Sequence, residues 1–150
     1  MKSSILITSY NKGKYIDECI SSCINQDIAD DIEILVLDNY SEDNSDQIFS
    51  KYKDKIKIFK KKRVSTYPAL NQIDLIKEGL KISSGNLIYL LDGDDFFLKN
   101  KVKTILEEFK KDKSLNFIQD NPIYFYPNNN LKLKKKIEKK ILCDAYLALF

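Results

Sequence analysis

The sequence predicts an α/β fold, a mostly parallel sheet with helices on both faces. Three observations predict it. Strand-like and helix-like patterns alternate along the chain. The stretches IEILVL and NLIYLL are continuous apolar runs, as expected of strands covered on both sides. Both runs stop abruptly in carboxylates, in ILVLDNYSEDNS and NLIYLLDGDDFF. Polar chemistry thus gathers where strands leave the sheet, which is where open α/β sheets bind ligands.

Each element has its own warrant. SILITS (4–9) reads as the first strand. From Lys14 to Gln26 the apolar positions Tyr15, Ile16, Cys19, Ile20, Cys23 and Ile24 fall on one helical face. IEILVL (32–37) is the second strand. Ser41, Asp43 and Asn44 offer N-caps for a short helix carrying Ile48, Phe49 and Tyr52. IKIF (56–59) is the third strand. Pro68 can open a helix running to about Ser83, with Leu70, Ile73, Ile76 and Leu80 expected inward and Gly85 ending it. NLIYLL (86–91) is the fourth strand. Val102, Ile105, Leu106 and Phe109 give the next helix an i, i+3, i+4, i+7 stripe. Residues 116–126 read as extended with a bend at Pro122, 128–130 as a loop, and the rest as a helix with Ile137, Ile141, Leu142, Ala145 and Leu149 on one face.

Length and composition narrow the function classes. A chain of 150 residues, 43% hydrophobic and 31% charged, is expected to form one globular domain. No apolar run approaches the ~20 residues needed to cross a bilayer, and the start reads as a strand and not a signal peptide, so a cytoplasmic location is expected. The three cysteines fit buried thiols in a reducing compartment. The absence of histidine removes Ser-His and Cys-His nucleophiles and weakens any zinc reading. The net charge of +3 is mild, but lysines cluster in 53–63 and 132–140. Those runs read as solvated faces, or as attraction to phosphates or an anionic membrane surface. Without aromatic interleaving or a binding motif, no nucleic-acid partner is expected.

Three motifs carry chemistry. TSYNKGKY is a strand-to-helix turn in which Thr8, Ser9, Tyr10 and Asn11 offer hydroxyls, an amide and a ring able to stack on a base. It is no dinucleotide fingerprint, since Gly13 stands alone. Asp38 directly follows the second strand, where a carboxylate could accept the N3–H of a pyrimidine, whereas Asp43 and Asn44 read as caps. In LLDGDDFF, Asp92, Asp94 and Asp95 make an all-oxygen set suited to Mg²⁺ or Mn²⁺. Position twelve from Asp92 is Lys103, which excludes an EF-hand. A phosphatase with an Asp-x-Asp strand end, and a plain acidic turn, are the competing readings.

In order and spacing, ILITSYNKGKYIDECISSCINQ, IEILVLDNYSEDNS and GNLIYLLDGDDFF resemble the family 2 glycosyltransferases of the GT-A fold, over residues 4 to about 120. The resemblance implies a Rossmann-like GT-A domain, here one nucleotide-sugar-binding domain over 1–150 that ends before the acceptor-binding half. It implies inverting transfer of a sugar from a nucleotide-sugar, UDP-linked, to a saccharide or lipid-linked acceptor, with Mn²⁺ or Mg²⁺ as cofactor. Bacterial surface polysaccharide is the implied setting, with peripheral membrane association and self-association open to it. Thr8, Ser9 and Tyr10, with Asn11, would line the base pocket, and Asp38 would hold a uracil-like edge. Asp92 and Asp94 would form the Asp-x-Asp motif, Asp94 on the metal and Asp92 toward the ribose or sugar. The family's Ala-Arg-Asn, counted back from Gly85, falls on Leu75, Ile76 and Lys77, so Lys77 or Arg63 would take the arginine's place near the diphosphate. The catalytic base is unassigned, Asp120 and Asp144 being the later carboxylates. A non-catalytic donor-binding fragment, docking through its apolar end AYLALF, is the alternative.

Overall fold

The computed structural model describes residues 1–28 and 31–119. The expectations for 120–150, including the bend at Pro122, the final helix, Cys143, Asp120 and Asp144, lie outside the described residues. Packing divides the chain into two compact units, Met1–Leu106 and Glu107–Phe150. The first unit contains the sheet and every residue of the candidate site.

The elements run β1 (Ser3–Ser9), α1 (Ile16–Ile24), β2 (Ile32–Asp38), α2 (Ser45–Lys51), β3 (Lys57–Lys60), α3 (Pro68–Ile82), β4 (Leu87–Asp92) and α4 (Lys101–Lys111). The four strands form one parallel sheet in the order β3-β2-β1-β4. The pleat sorts the side chains. Ile5, Ile7, Ile34, Val36, Tyr89 and Leu91 pack with Ile16, Cys19, Ile20 and Cys23 of α1, Ile48 and Phe49 of α2, and Val102 and Leu106 of α4. Leu6, Leu35 and Leu37 face the other way, onto Leu75 of α3. Among the described residues, α1, α2 and α4 lie on one face and α3 on the other, where β4 stays partly open, so NLIYLL is not covered on both sides as expected. The chain moves from β1 outward to β2 and β3, then returns through α3 to the far side of β1. That reversal is a topological switch point, which opens a crevice at the carboxyl ends of the strands.

α3 corrects the sequence expectation most. Its sheet-facing stripe is Asn71, Leu75 and Gly79, while Leu70, Ile73 and Leu80 are 51%, 47% and 37% exposed and Ile76 is half-buried. A Cβ at Gly79 would stand 2.6 Å from Leu37 Cδ1, so glycine lets the helix lie close on β2. Gly85 is not the helix C-cap; Ser83 is, with φ −71°. Gly85 is needed because a Cβ there would stand 2.5 Å from the Ser4 backbone nitrogen. α2 is capped not from its N-cap residue but by Asp43, which accepts from the Ser45 N–H at 3.0 Å and the Ser45 hydroxyl at 2.5 Å. α1 is shorter than its periodicity implies, and Tyr15 lies outside it, 45% exposed.

Cys19 and Cys23 are buried free thiols in the core. Hydrogen bonding between them, with burial, holds the Cys19 thiol protonated well above its usual range. Much of the basic stretch 53–63 is consumed by the fold. Lys57 pairs with Glu33 at 2.7 Å, Lys60 with Asp46 at 2.5 Å, and Lys61 with Asp74 at 2.9 Å and Glu78 at 3.1 Å. Among the described residues, no helix is long and apolar enough to cross a membrane.

Glu33 fastens the amino-terminal edge of the sheet. It accepts from the Ser4 hydroxyl at 2.6 Å, the Ser84 N–H at 2.8 Å and the Lys57 ammonium at 2.7 Å, joining β1, β2, β3 and the α3–β4 connection. Burial alone would raise its pKa, but Lys57, Ser4 and Ser84 outweigh it and bring the carboxyl down from 4.5 to about 2. A depressed folded-state pKa stabilises above the unfolded value and is lost as pH falls through the folded one. Glu33 should therefore contribute on the order of 2 kcal/mol at neutral pH, allowing for the exposure of Lys57, and lose it between about pH 4.5 and 2. Denaturant unfolding of wild type and Glu33→Gln across that window checks this. The stability gap should close toward low pH, and a pH-independent gap would contradict the assignment.

Candidate functional site

The two acidic strand ends lie at the same edge of the sheet, on either side of β1. Ser9 pairs in register with Asp38 of β2, and Thr8 with Asp92 of β4. They are not neighbouring strand ends, since β1 lies between them. Two interstrand spacings separate them by roughly 10 Å. The pleat sends Ser9 and Asp38 toward the α1–α2 face, with Ile7 and Val36, and sends Thr8 and Asp92 toward the α3 face, with Leu6 and Ile88. The site so formed wraps over the end of one central strand.

On the β4 side, Asp92 Oδ1 accepts from the Thr8 hydroxyl at 3.1 Å and from the Gln72 amide, which also reaches Thr8 Oγ1 at 3.3 Å. Gly93 turns the chain by donating its N–H to the Thr8 carbonyl at 2.9 Å. A Cβ there would stand 2.9 Å from that carbonyl oxygen, so glycine alone lets the acidic tip press against β1. Asp94 then meets the Lys12 ammonium at 2.5 Å. Burial, followed by the negative charges of Asp94 and Asp92, raises the Asp95 pKa against the opposing effect of Lys12.

On the β2 side, Asp38 is fully buried and accepts from the Ser41 N–H at 2.8 Å and the Ser41 hydroxyl at 2.5 Å. It thereby fixes the turn containing Tyr40, a non-glycine residue at φ 56°. That turn is joined to the β1–α1 loop. Asn11, at φ 52°, receives the Glu42 N–H on Oδ1 at 2.8 Å and donates its own N–H to Ser41 Oγ at 2.9 Å, while Gly13 donates to Asp43 at 2.7 Å. Three bonds from the acceptors and donors of 41–43 thus hold TSYNKGKY in place. The Ser9 hydroxyl, on a residue 3% exposed, has no hydrogen-bond partner among the described residues.

The β3–α3 loop closes the third side. Asn71 accepts the N–H groups of Val64 and Ser65, both at 2.9 Å, and donates to the carbonyls of Ser65 at 2.8 Å and Tyr67 at 3.2 Å. This one buried amide shapes the loop that carries Arg63, whose guanidinium stands 4.5 Å from the Tyr10 ring centroid. Cation–π attraction accounts for the pairing.

The structure thus gathers Thr8, Ser9, Tyr10, Asn11, Asp38, Asp92 and Asp94 around the end of β1. It leaves Lys77 apart. α3 begins at Pro68, so Ala69, Leu70 and Asn71 occupy its first turn, nearest the strand ends. Lys77 lies five residues past Gln72, roughly 7–8 Å further from the strand ends along the helix. Gln72, Lys12 and Asn71 were missed. The signal for Asn71 and Gln72 was the proline that fixes the helix start, since first-turn residues face the carboxyl edge.

Asp92 and Asp94 are hard oxygen donors, the type Mg²⁺ and Mn²⁺ prefer. No group of three or more metal-ligating side chains is assembled among the described residues. Two carboxylates fit such an ion in the way Mg²⁺ is commonly held, by one or two carboxylates with the rest of its shell from substrate phosphates and water.

Comparison with known proteins places this fold. The family model described as Glycosyl transferase family 2 matches residues 4–148. A chondroitin synthase of Escherichia coli is 32% identical over 120 residues, covering 75% of this chain and 16% of that protein. The crystal structure of Staphylococcus aureus TarS 1–349 in complex with UDP-GlcNAc superposes with a TM-score of 0.63 at 28% identity, covering 74% of this chain and 32% of that one. The mannosyltransferase PcManGT of Pyrobaculum calidifontis, in complex with GDP-Man and Mn²⁺, shares the fold at a TM-score of 0.61 and 17% identity, over 75% of this chain and 33% of that one. The chain therefore spans a third or less of the length of these relatives.

Proposed function

This chain belongs to glycosyl transferase family 2, and from that premise we propose that it is the donor-binding part of an enzyme transferring a sugar from a UDP-sugar to a saccharide or lipid-linked acceptor. The observation that carries the reading is the pair of acidic strand ends astride β1, in register with Ser9 and Thr8. Tyr10 offers a stacking face for the base. Asp38 holds the turn against which that base would lie. Ser9 supplies a buried hydroxyl with no partner among the described residues, which a ligand's polar atom would satisfy. The UDP preference rests on the similarity to TarS, whose complex contains UDP-GlcNAc.

At the other end, Asp94 and Asp92 would hold Mn²⁺ or Mg²⁺, which as a bound Lewis acid offsets the charge of a departing diphosphate. Thr8 and Gln72 fix the Asp92 carboxylate in place, leaving it oriented toward the ribose or sugar. Arg63 supplies a permanent positive charge on the loop facing Tyr10. The acceptor oxygen would attack the anomeric carbon as the bond to the diphosphate breaks, inverting that centre, with the hydroxyl proton passing to a base. Assembly of a surface polysaccharide is the proposed setting, in keeping with the similarity to a chondroitin synthase.

Thermal unfolding of the chain with Mn²⁺ and a panel of nucleotide-sugars tests this. UDP-linked ligands at a hundredfold excess over Kd should add about 2.7 kcal/mol and raise Tm by several degrees. Unchanged Tm with every nucleotide, or release of phosphate from simple phosphomonoesters, would overturn it.

A further inference from the structure

We propose that Lys12 is a built-in counter-ion of the acidic tip, standing on Asp94 in the place of a divalent cation until a nucleoside diphosphate arrives with one; this rests on the donor-site reading above. The Lys12 ammonium lies 2.5 Å from Asp94 Oδ2. Its stem runs close over Gly93, where a Cβ would stand 3.3 Å from Lys12 Cγ. The backbone beneath is fixed. Asn11 and Gly13, on either side, are bonded to Ser41, Glu42 and Asp43, and the Lys12 carbonyl accepts the N–H groups of Tyr15 and Ile16 at 2.8 and 2.9 Å. Only the side chain has to move, and it is partly exposed, at 33%.

The two carboxylates are therefore unequal at rest. Asp92 is held by the neutral donors Thr8 and Gln72, whereas Asp94 is paired with the full positive charge of the Lys12 ammonium. A divalent cation and an ammonium repel each other on one carboxylate, so metal alone meets a competitor tethered at the site. A diphosphate changes the balance in two ways. It adds oxygen ligands to the metal, and it gives the displaced ammonium a new anionic partner. Metal and nucleotide binding become positively coupled, and by linkage each raises affinity for the other equally.

Titration of the full chain with Mn²⁺, read from the electron paramagnetic resonance signal of the free ion, tests the proposal. With Mn²⁺ alone, Lys12→Met should bind about five- to tenfold tighter than wild type, and Lys12→Arg should match wild type. UDP should strengthen Mn²⁺ binding more in wild type than in Lys12→Met. In an Asp94→Asn background, Lys12→Met should bring no gain. Mn²⁺ affinity of Lys12→Met equal to or below that of wild type would overturn the proposal, as would a gain that persists with Asp94→Asn. Lys12→Gln gives the same comparison should Lys12→Met fail to fold. Failure of UDP to alter Mn²⁺ affinity in any variant would contradict the donor-site reading instead, while the nucleotide-free comparison would still decide the role of Lys12.

Discussion

Replacing Asp94 by alanine is expected to lower Mn²⁺-dependent affinity for UDP roughly 100-fold while leaving the fold intact. Asp94 sits beyond the end of β4, in the turn set by Gly93, and its side chain is 42% exposed. Its ion pair with Lys12 lies in water and contributes little to folding. On the proposed reading its carboxylate acts by its charge beside Asp92, which would help to hold a divalent cation for the diphosphate. Calorimetric titration of UDP with Mn²⁺ into wild type and variant, alongside thermal unfolding, separates the two effects. Equal affinities would contradict the metal-binding role, and a large fall in Tm would show that the residue is structural.

Asn71→Ala is expected to destabilise the protein by about 3 kcal/mol and to weaken UDP binding as well. The Asn71 amide is 97% buried and serves four backbone partners, at Val64, Ser65 and Tyr67. Alanine leaves two N–H groups and the Ser65 carbonyl to find water or go unpaired, while the Tyr67 carbonyl keeps the backbone N–H of residue 71 at 3.5 Å. Each buried group that stays unpaired costs about 1–3 kcal/mol, and partial access of water to the loop keeps the total below their sum. The same change releases the loop that holds Arg63 against Tyr10. Denaturant unfolding and calorimetry together check this. Unchanged stability would contradict the hydrogen-bond account, and unchanged affinity would remove Arg63 from the site.

These two residues show what the sequence makes legible. The strands were readable because a strand covered on both faces must be apolar throughout, as ILVL is; LIYLL was read the same way, although Leu90 is 56% exposed and that face of β4 is open. The acidic tips were readable because carboxylates directly after such runs have few structural uses. Asp43 was readable as a cap from its place ahead of Ser45. The packing of α3 was not. Leu70, Ile73 and Leu80 make a more persuasive apolar stripe than Asn71, Leu75 and Gly79, yet the second stripe faces the sheet. A glycine that permits close approach and an amide that satisfies a loop outweigh hydrophobicity there, and neither requirement exists until β2 and the β3–α3 loop are in place. Strand order was equally hidden, because it depends on which side of β1 the returning chain crosses. So were Gln72 and Lys12, whose partners lie 20 and 82 residues away. Asp38 was read for its position alone. Its burial and its bonds to Ser41 show that it also shapes the turn beside it.

The central claim is that both acidic strand ends belong to one ligand site across β1. Amide chemical-shift mapping of the ¹⁵N-labelled chain with UDP and Mg²⁺ tests it most directly. The account predicts saturable shifts at Asn39, Tyr40 and Ser41 together with Gly93, Asp94 and Lys12, all fitting a single dissociation constant. Shifts confined to one of these two groups, or fitting two unrelated constants, would contradict it.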